Sequence, residues 1–276
     1  MILGLPAGEL AMLLGFLIAG GLLTGVLSGL FGVGGGGILV PVLYEVFGAF
    51  GVTEDVRMHM AVGTSFAIII PTSFRAAGSH YDRGAIDIAV LRLLAPAAII
   101  GVLLGAIAAS FANDAAMKAV WVISAITLSA TLLLKRENWR LRGEIERPAV
   151  VIPVGAGVGF LATLMGVGGG AQIAAILTLF GRSMLKAVGT AAGFSCIVAV
   201  PALIGFIWAG WGAAGLPPGS AGYVSVIGAA AMIPSSVLAA PIGVRLAHGL
   251  PRRKLEVAFA IFLIAVASRF LLALVL

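Results

Sequence analysis

The chain carries 35 consecutive uncharged residues from Leu10 to Tyr44, 33 from Ala149 to Gly181 and 58 from Ala187 to Val244. Each run exceeds the roughly 20 apolar residues that cross a bilayer once. A soluble domain hides its apolar side chains in one core and spaces charges over its surface, so runs of this length call for lipid as solvent. With 61% hydrophobic and only 10% charged residues, the composition lies far from that of soluble domains. A spanning backbone must satisfy its own hydrogen bonds, and these runs lack the alternation of barrel strands. The expected fold is therefore an all-α polytopic membrane protein, not a porin.

Breaking the chain at charges, Gly clusters and Pro predicts ten apolar segments, at residues 10–31, 36–50, 58–75, 86–110, 115–134, 149–166, 170–181, 186–209, 221–245 and 254–274. The one long polar stretch, KRENWRLRGEIERP from Lys135 to Pro148, falls near the middle. Two motifs recur in order on either side of it. LFGVGGG at Leu30–Gly36 returns as LMGVGGG at Leu164–Gly170, and AVGTS at Ala61–Ser65 returns as AVGTA at Ala187–Ala191. The expected organisation is a first transmembrane repeat over 1–134, a linker over 135–148 and a second repeat over 149–276.

Charge tests the segment count, because cytoplasmic loops are enriched in Lys and Arg. If the linker is cytoplasmic, ten crossings place Arg75, Arg83, Lys135, Arg136, Arg140, Arg142, Arg147, Arg182, Lys186, Arg245, Arg252, Arg253 and Lys254 inside. Only Arg57 and Lys118 fall outside. Merging the sixth and seventh segments into one span would erase most of this bias. Five segments per half is an odd number, so the second half enters the membrane in the opposite sense, an inverted repeat with both termini periplasmic. MILGLPAGEL has no basic region and no small-residue cleavage site, so it reads as part of the mature protein.

The two Gly runs carry the functional expectation. Thirty-five residues make a helix of about 52 Å, too long for one crossing of a hydrocarbon layer about 30 Å thick and short for two. GVGGGG at Gly32–Gly37 and GVGGG at Gly166–Gly170 sit where each helix must stop. A helix that begins after such a break points free N–H groups and its positive dipole end inward, which suits an anion. The candidate substrate-binding residues are Gly34, Gly35, Gly36, Gly37, Gly168, Gly169 and Gly170, with Thr64, Ser65, Gln172, Thr190 and Ser195 as neutral hydrogen-bonding neighbours. Arg57, Arg75 and His80 are candidates for a mouth or gate. Close helix packing through small residues is the alternative reading of both Gly runs.

Other chemistry is thinly represented. Gly32, Gly34 and Gly37 formally fit G-x-G-x-x-G, but that fingerprint needs a strand of a soluble βαβ unit before it. Cys196 is the only cysteine and the chain has three His, so no metal, cofactor or catalytic constellation is expected and the chain is read as a non-enzyme. The basic residues sit in short loops beside spans, which argues against nucleic acid. Among the acids only Glu45 and Glu256 fall clearly inside segments, both toward an end, so no buried carboxylate is expected to mark a cation site. Arg92 and Arg269 read as snorkelling anchors, and Trp208 and Trp211 as interfacial residues. The expected partners are a small anion and membrane lipid, and the sequence leaves oligomerisation open.

LFGVGGGGILVPVL at Leu30–Leu43, its second copy LMGVGGGAQIAAIL at Leu164–Leu177, and the AVGTS and AVGTA pair resemble the TauE/SafE sulfite exporter family, also called TSUP. The resemblance implies a bacterial inner-membrane permease for sulfur-containing anions such as sulfite, thiosulfate or a sulfonate. The second copy has Ala171 and Gln172 in place of Gly37 and Ile38, so the two half-sites are chemically unequal. Export by alternating access is the leading expectation, since an inside-negative potential of 100 mV favours outward movement of each negative charge by about 2.3 kcal/mol. Uptake of thiosulfate or another oxyanion, or a non-transport assembly subunit, are the alternatives.

Overall fold

The structure is a computed structural model that describes residues 7–31, 36–134, 145–249 and 252–275. Gly34, Gly35 and residues 135–144 of the linker lie outside the described residues. Ten helices occupy the predicted segments: α1 (Ala7–Phe31), α2 (Gly36–Ala49), α3 (Glu54–Tyr81), α4 (Ile88–Phe111), α5 (Asp114–Leu134), α6 (Pro148–Met165), α7 (Gly170–Leu179), α8 (Met184–Ala209), α9 (Val226–Gly249) and α10 (Arg252–Val275). α3, α4, α5, α6, α8 and α9 are long and apolar enough to cross a membrane. With 14 and 10 residues, α2 and α7 rise about 21 Å and 15 Å, well short of the hydrocarbon layer. The chain is a multi-pass membrane protein of all-α class.

Local chemistry explains the helix starts. Thr53 precedes α3, whose first turn carries Glu54 and Asp55 against the positive dipole end. The Asp87 side chain accepts from Val90 N at 3.2 Å to open α4, and Pro148 takes the first position of α6, where its missing N–H costs nothing. Pro41, Pro71, Pro96, Pro153, Pro201, Pro234 and Pro241 all sit inside helices. Neighbouring helices re-satisfy the freed carbonyls of such helices in a membrane.

Packing runs through small residues. Gly21 faces Met232 and Ser235, Gly25 faces Ser236 and Ala239, and Gly29 faces Ala240 and Val244, so α1 and α9 lie parallel in backbone contact. α4 and α6 repeat this arrangement, with Gly155 on Leu94 and Ala97, Gly101 on Ala156 and Gly105 on Phe160 and Thr163. α3 and α8 are the most buried of the long helices and cross antiparallel: Gly63 meets Phe206, and Cys196 Sγ lies 3.3 Å from Ser73 Oγ. α5 and α10 are antiparallel too, with Trp121 edge-on to Phe270 at 5.1 Å and Arg253 donating to the Leu132 carbonyl at 2.7 Å. Four helices separate α3 from α8 in the chain. Their opposed directions require an odd number of reversals; with each of the other four connections turning back, α7 turns back from α6 and the run Ala149–Gly181 is not one continuous span.

Two boundaries differ most from expectation. α3 extends to Tyr81, beyond the predicted end at 75, because nothing between Arg75 and Tyr81 forces a stop; the turn comes at Gly84, with φ +64°. α9 begins at Val226, five residues late, because Ser220–Ala221 and Val224–Ser225 form a small antiparallel hairpin. Gly222, with φ +54°, makes its turn.

Candidate substrate site

The second Gly run is an interior turn. Gly166 closes α6 at φ +69°, Gly168 and Gly169 follow at +73° and +75°, and all are buried. Side chains other than glycine's disfavour that region by about 1–2 kcal/mol per residue. Space forbids them as well. A Cβ on Gly166 would lie 2.7 Å from Ser65 Oγ and from Val40 Cγ2, and one on Gly169 would lie 2.9 Å from Phe194 Cε1. Gly169 is the cap residue from which α7 starts, so α7 directs its N-terminal end into the protein.

The first Gly run meets the second. A Cβ on Gly36, the first residue of α2, would collide with the Gly166 carbonyl and Val167 Cα, so these backbones touch. The Ser65 hydroxyl, 2.9 Å from Gly166 O and 2.6 Å from Val62 O, ties α3 to the turn. Ser195 lies against Gly168, where an added Cβ would come within 3.3 Å of it, and its hydroxyl donates to Ala191 O at 3.1 Å. Gln172, on the first turn of α7, approaches Met165 Sδ through Nε2 at 3.6 Å, while its shielded Oε1 has no partner. Gly36, Gly168, Gly169, Gly170, Ser65, Ser195 and Gln172 thus surround the junction of the two breaks. Gly37 turns elsewhere. A Cβ there would meet Phe259 and Leu263 of α10 at 3.3–3.4 Å, and the second half carries Ala171 at the matching place.

Thr64 and Thr190 are used differently from the expectation. Thr64 Oγ1 accepts from Ser225 N at 2.9 Å, and Thr190 Oγ1 accepts from Asp87 N at 2.8 Å. Ser225 and Asp87 are the residues immediately before α9 and α4. Gly63 lies on the Tyr223 carbonyl and Gly189 on the Ala85 carbonyl, two residues earlier in each case. The repeated AVGT motif therefore docks the start of a helix from the opposite half, and its hydroxyls point to backbone.

The proposed mouth residues also separate. Arg57 donates to Val52 O at 3.0 and 2.8 Å and lies over the Tyr44 ring. Arg75 is exposed on α3. His80, expected in a loop, is fully buried because α3 runs on past it, and its Nε2 lies 3.2 Å from Gly29 O.

Sequence reasoning missed two buried carboxylates. Asp114, 7% exposed, pairs with Lys118 at 2.8 Å and accepts from Met58 N at 2.7 Å. Glu256, 6% exposed, sits one turn into α10. Both lie at helix starts, and Glu256 precedes by one turn Phe259, which faces Gly37. The i, i+4 spacing of Asp114 and Lys118 was the available signal for the pair. Among the described residues no cluster of three or more His, Cys, Asp or Glu is arranged for a metal ion.

Residues 17–270 match the family described as Sulfite exporter TauE/SafE. A "Probable membrane transporter protein" of Haemophilus influenzae is 29% identical over 247 residues, covering 90% of this chain and 94% of that protein. A protein of the same description from the archaeon Methanocaldococcus jannaschii is 26% identical over 240 residues, covering 85% of this chain and 84% of that protein. No solved structure matches the chain. An interior Gly turn that meets the start of α2, on an all-α membrane scaffold, coincides with a family match over nearly the whole sequence: the chain belongs to the Sulfite exporter TauE/SafE family.

Proposed function

We propose that this protein carries a small sulfur-containing anion across the bacterial inner membrane, most favourably sulfite or an organosulfonate outward, by alternating access of two inverted repeats. The observation that carries this reading is the contact of Gly36, at the N-terminal end of α2, with the backbone of Gly166 and Val167 in the turn that leads into α7. Two inward helix starts with the Gln172 amide beside them offer hydrogen-bond donors without permanent charge, a setting that holds an oxyanion loosely enough to release it.

The inverted relation rests on helix direction. α3 and α8, which carry the matched AVGT motifs, run antiparallel, as do α5 and α10. Parallel α1 and α9 correspond to parallel α6 and α4. Residues 1–134 and 149–276 then act as repeats joined by a cytoplasmic linker, with both termini periplasmic. The membrane potential drives outward movement of an anion, so export needs no coupling ion.

The test is flux of labelled sulfite, thiosulfate and a sulfonate in liposomes holding the purified protein under an imposed potential. Transport that follows the sign of the potential supports the reading. No movement of any of the three removes it. Thiosulfate uptake dependent on a cation gradient would favour the import alternative.

A further inference from the structure

Three hydroxyls stand apart from the other buried Ser and Thr residues. Thr72, Ser129, Thr163 and Ser195 donate back to a carbonyl one turn earlier on their own helix, the usual resort of a hydroxyl in a helix interior. Thr24, Ser28 and Ser236 are 0–1% exposed, yet among the described residues their hydroxyls have no partner. A buried polar atom left unpaired calls for an explanation, because back-bonding was open to each of them.

All three fall in one seam. Thr24 and Ser28 lie one turn apart on α1, flanking Gly25, and Gly25 rests on the Ser236 carbonyl of α9. Ala76, Ala192 and Ala240 pack together from α3, α8 and α9. One turn back from that layer come Ser73, Cys196 and Ser236, so the seam adjoins the crossing of the two central helices. In the other direction α9 leads to exposed Arg245, at the end where His80 meets Gly29.

The matching α4–α6 seam lacks these hydroxyls. The repeated Leu-x-Gly-Val run aligns Thr24 with Val158 and Ser28 with Ala162. The paired helix starts at Asp87 and Ser225, with Pro96 matching Pro234, align Ser236 with Ala98. Val158 and Ala162, with Phe194, line Gly169: a Cβ there would lie 3.0 and 3.2 Å from the first two. One seam of the pair is thus apolar beside its Gly turn, and the other presents three unpaired O–H groups.

We infer that the α1–α9 seam is a hydroxyl-lined subsite in which Thr24, Ser28 and Ser236 donate to the oxygens of the small oxyanion as it moves between the Gly junction and the Arg245 end. This rests on the transport reading above. Neutral donors suit the role, since a fixed positive charge would retain the anion, whereas hydroxyls bind and let go. The α4–α6 seam has no such lining and stays dry.

Cysteine reactivity tests the seam without requiring transport. In a Cys196→Ala background, Thr24→Cys, Ser28→Cys and Ser236→Cys are treated with methanethiosulfonate ethylsulfonate, a small anionic thiol reagent, beside Val158→Cys, Ala162→Cys and Ala98→Cys. The first three are expected to react at least about ten-fold faster, given a hydrated, anion-accepting seam on one side only. Equal rates in the two sets, or no reaction in either, overturn the inference. Flux supplies the second arm, with Thr24→Val and Ser28→Ala compared at matched size-exclusion profiles. A wild-type protein that moves sulfite, with variants that move it equally well, defeats the subsite alone; a wild-type protein that moves none of the sulfur anions defeats the transport reading instead.

Discussion

The Ser65 hydroxyl lies 2.9 Å from the carbonyl oxygen of Gly166, 101 residues further along the chain, and so ties α3 of the first half to the Gly turn of the second. The equivalent of Ser65 in the other motif copy is Ala191, so the tie is made once. Ser65→Ala removes the donor without a steric change and leaves a buried carbonyl short of a partner. The expected cost is about 1–3 kcal/mol, read as a lower unfolding temperature in detergent, whereas Ser65→Thr should retain most of the stability. An unchanged melting temperature in Ser65→Ala would show that the tie contributes nothing.

Gly166 and Gly37 predict opposite outcomes for the same substitution. Gly166→Ala adds a left-handed backbone penalty to a collision with Ser65 and Val40, for a total of roughly 2–5 kcal/mol. It should abolish both expression of folded protein and flux. Gly37→Ala meets only side-chain atoms of Phe259 and Leu263 and should be tolerated. Comparable yields of the two variants would contradict the geometry.

Thr64 and Thr190 give matched predictions, because each hydroxyl accepts from the residue before a helix. Thr64→Val and Thr190→Val keep the shape and strand one backbone N–H each. Each should lower stability by about 1–2 kcal/mol while leaving the substrate concentration at half-maximal flux unchanged. A shift in that concentration with stability intact would return these threonines to the substrate site.

Lys118 and Asp114 form a buried pair at the start of α5, their side chains 5% and 9% exposed. Lys118→Met leaves the carboxylate alone and should cost about 3–5 kcal/mol. Asp114→Asn in the same chain should recover part of that loss, since the amide oxygen still accepts from Met58 N. A double variant no more stable than Lys118→Met in thermal unfolding would refute the pairing.

Gln172 carries a prediction about charge. Its shielded Oε1 and its place on the first turn of α7 set it beside the Gly junction. Gln172→Glu adds a negative charge where an anion is proposed to sit, and should cut flux at least about ten-fold, a penalty of about 1.4 kcal/mol or more, with folding intact. Equal flux from Gln172→Glu and wild type would exclude Gln172 from the site.

Hydropathy and Gly clustering located the ten helices of the described residues and the interior turn at Gly166–Gly169, because the need to bury backbone polar groups in lipid acts on each segment separately. Gly168 and Gly169 were legible as a break because no other residue accepts φ near +75° cheaply. The use of each hydroxyl was decided only by tertiary structure. Thr64 and Ser65 are neighbours in one motif, yet one receives a helix start at Ser225 and the other binds the turn at Gly166. Thr24 and Ser28 read as ordinary small polar residues until α9 is laid along α1. Apolar length and glycine conformation are local properties that a single segment carries by itself. Which partner a buried hydroxyl finds depends on the rotation and register of helices more than a hundred residues apart, and packing alone sets those.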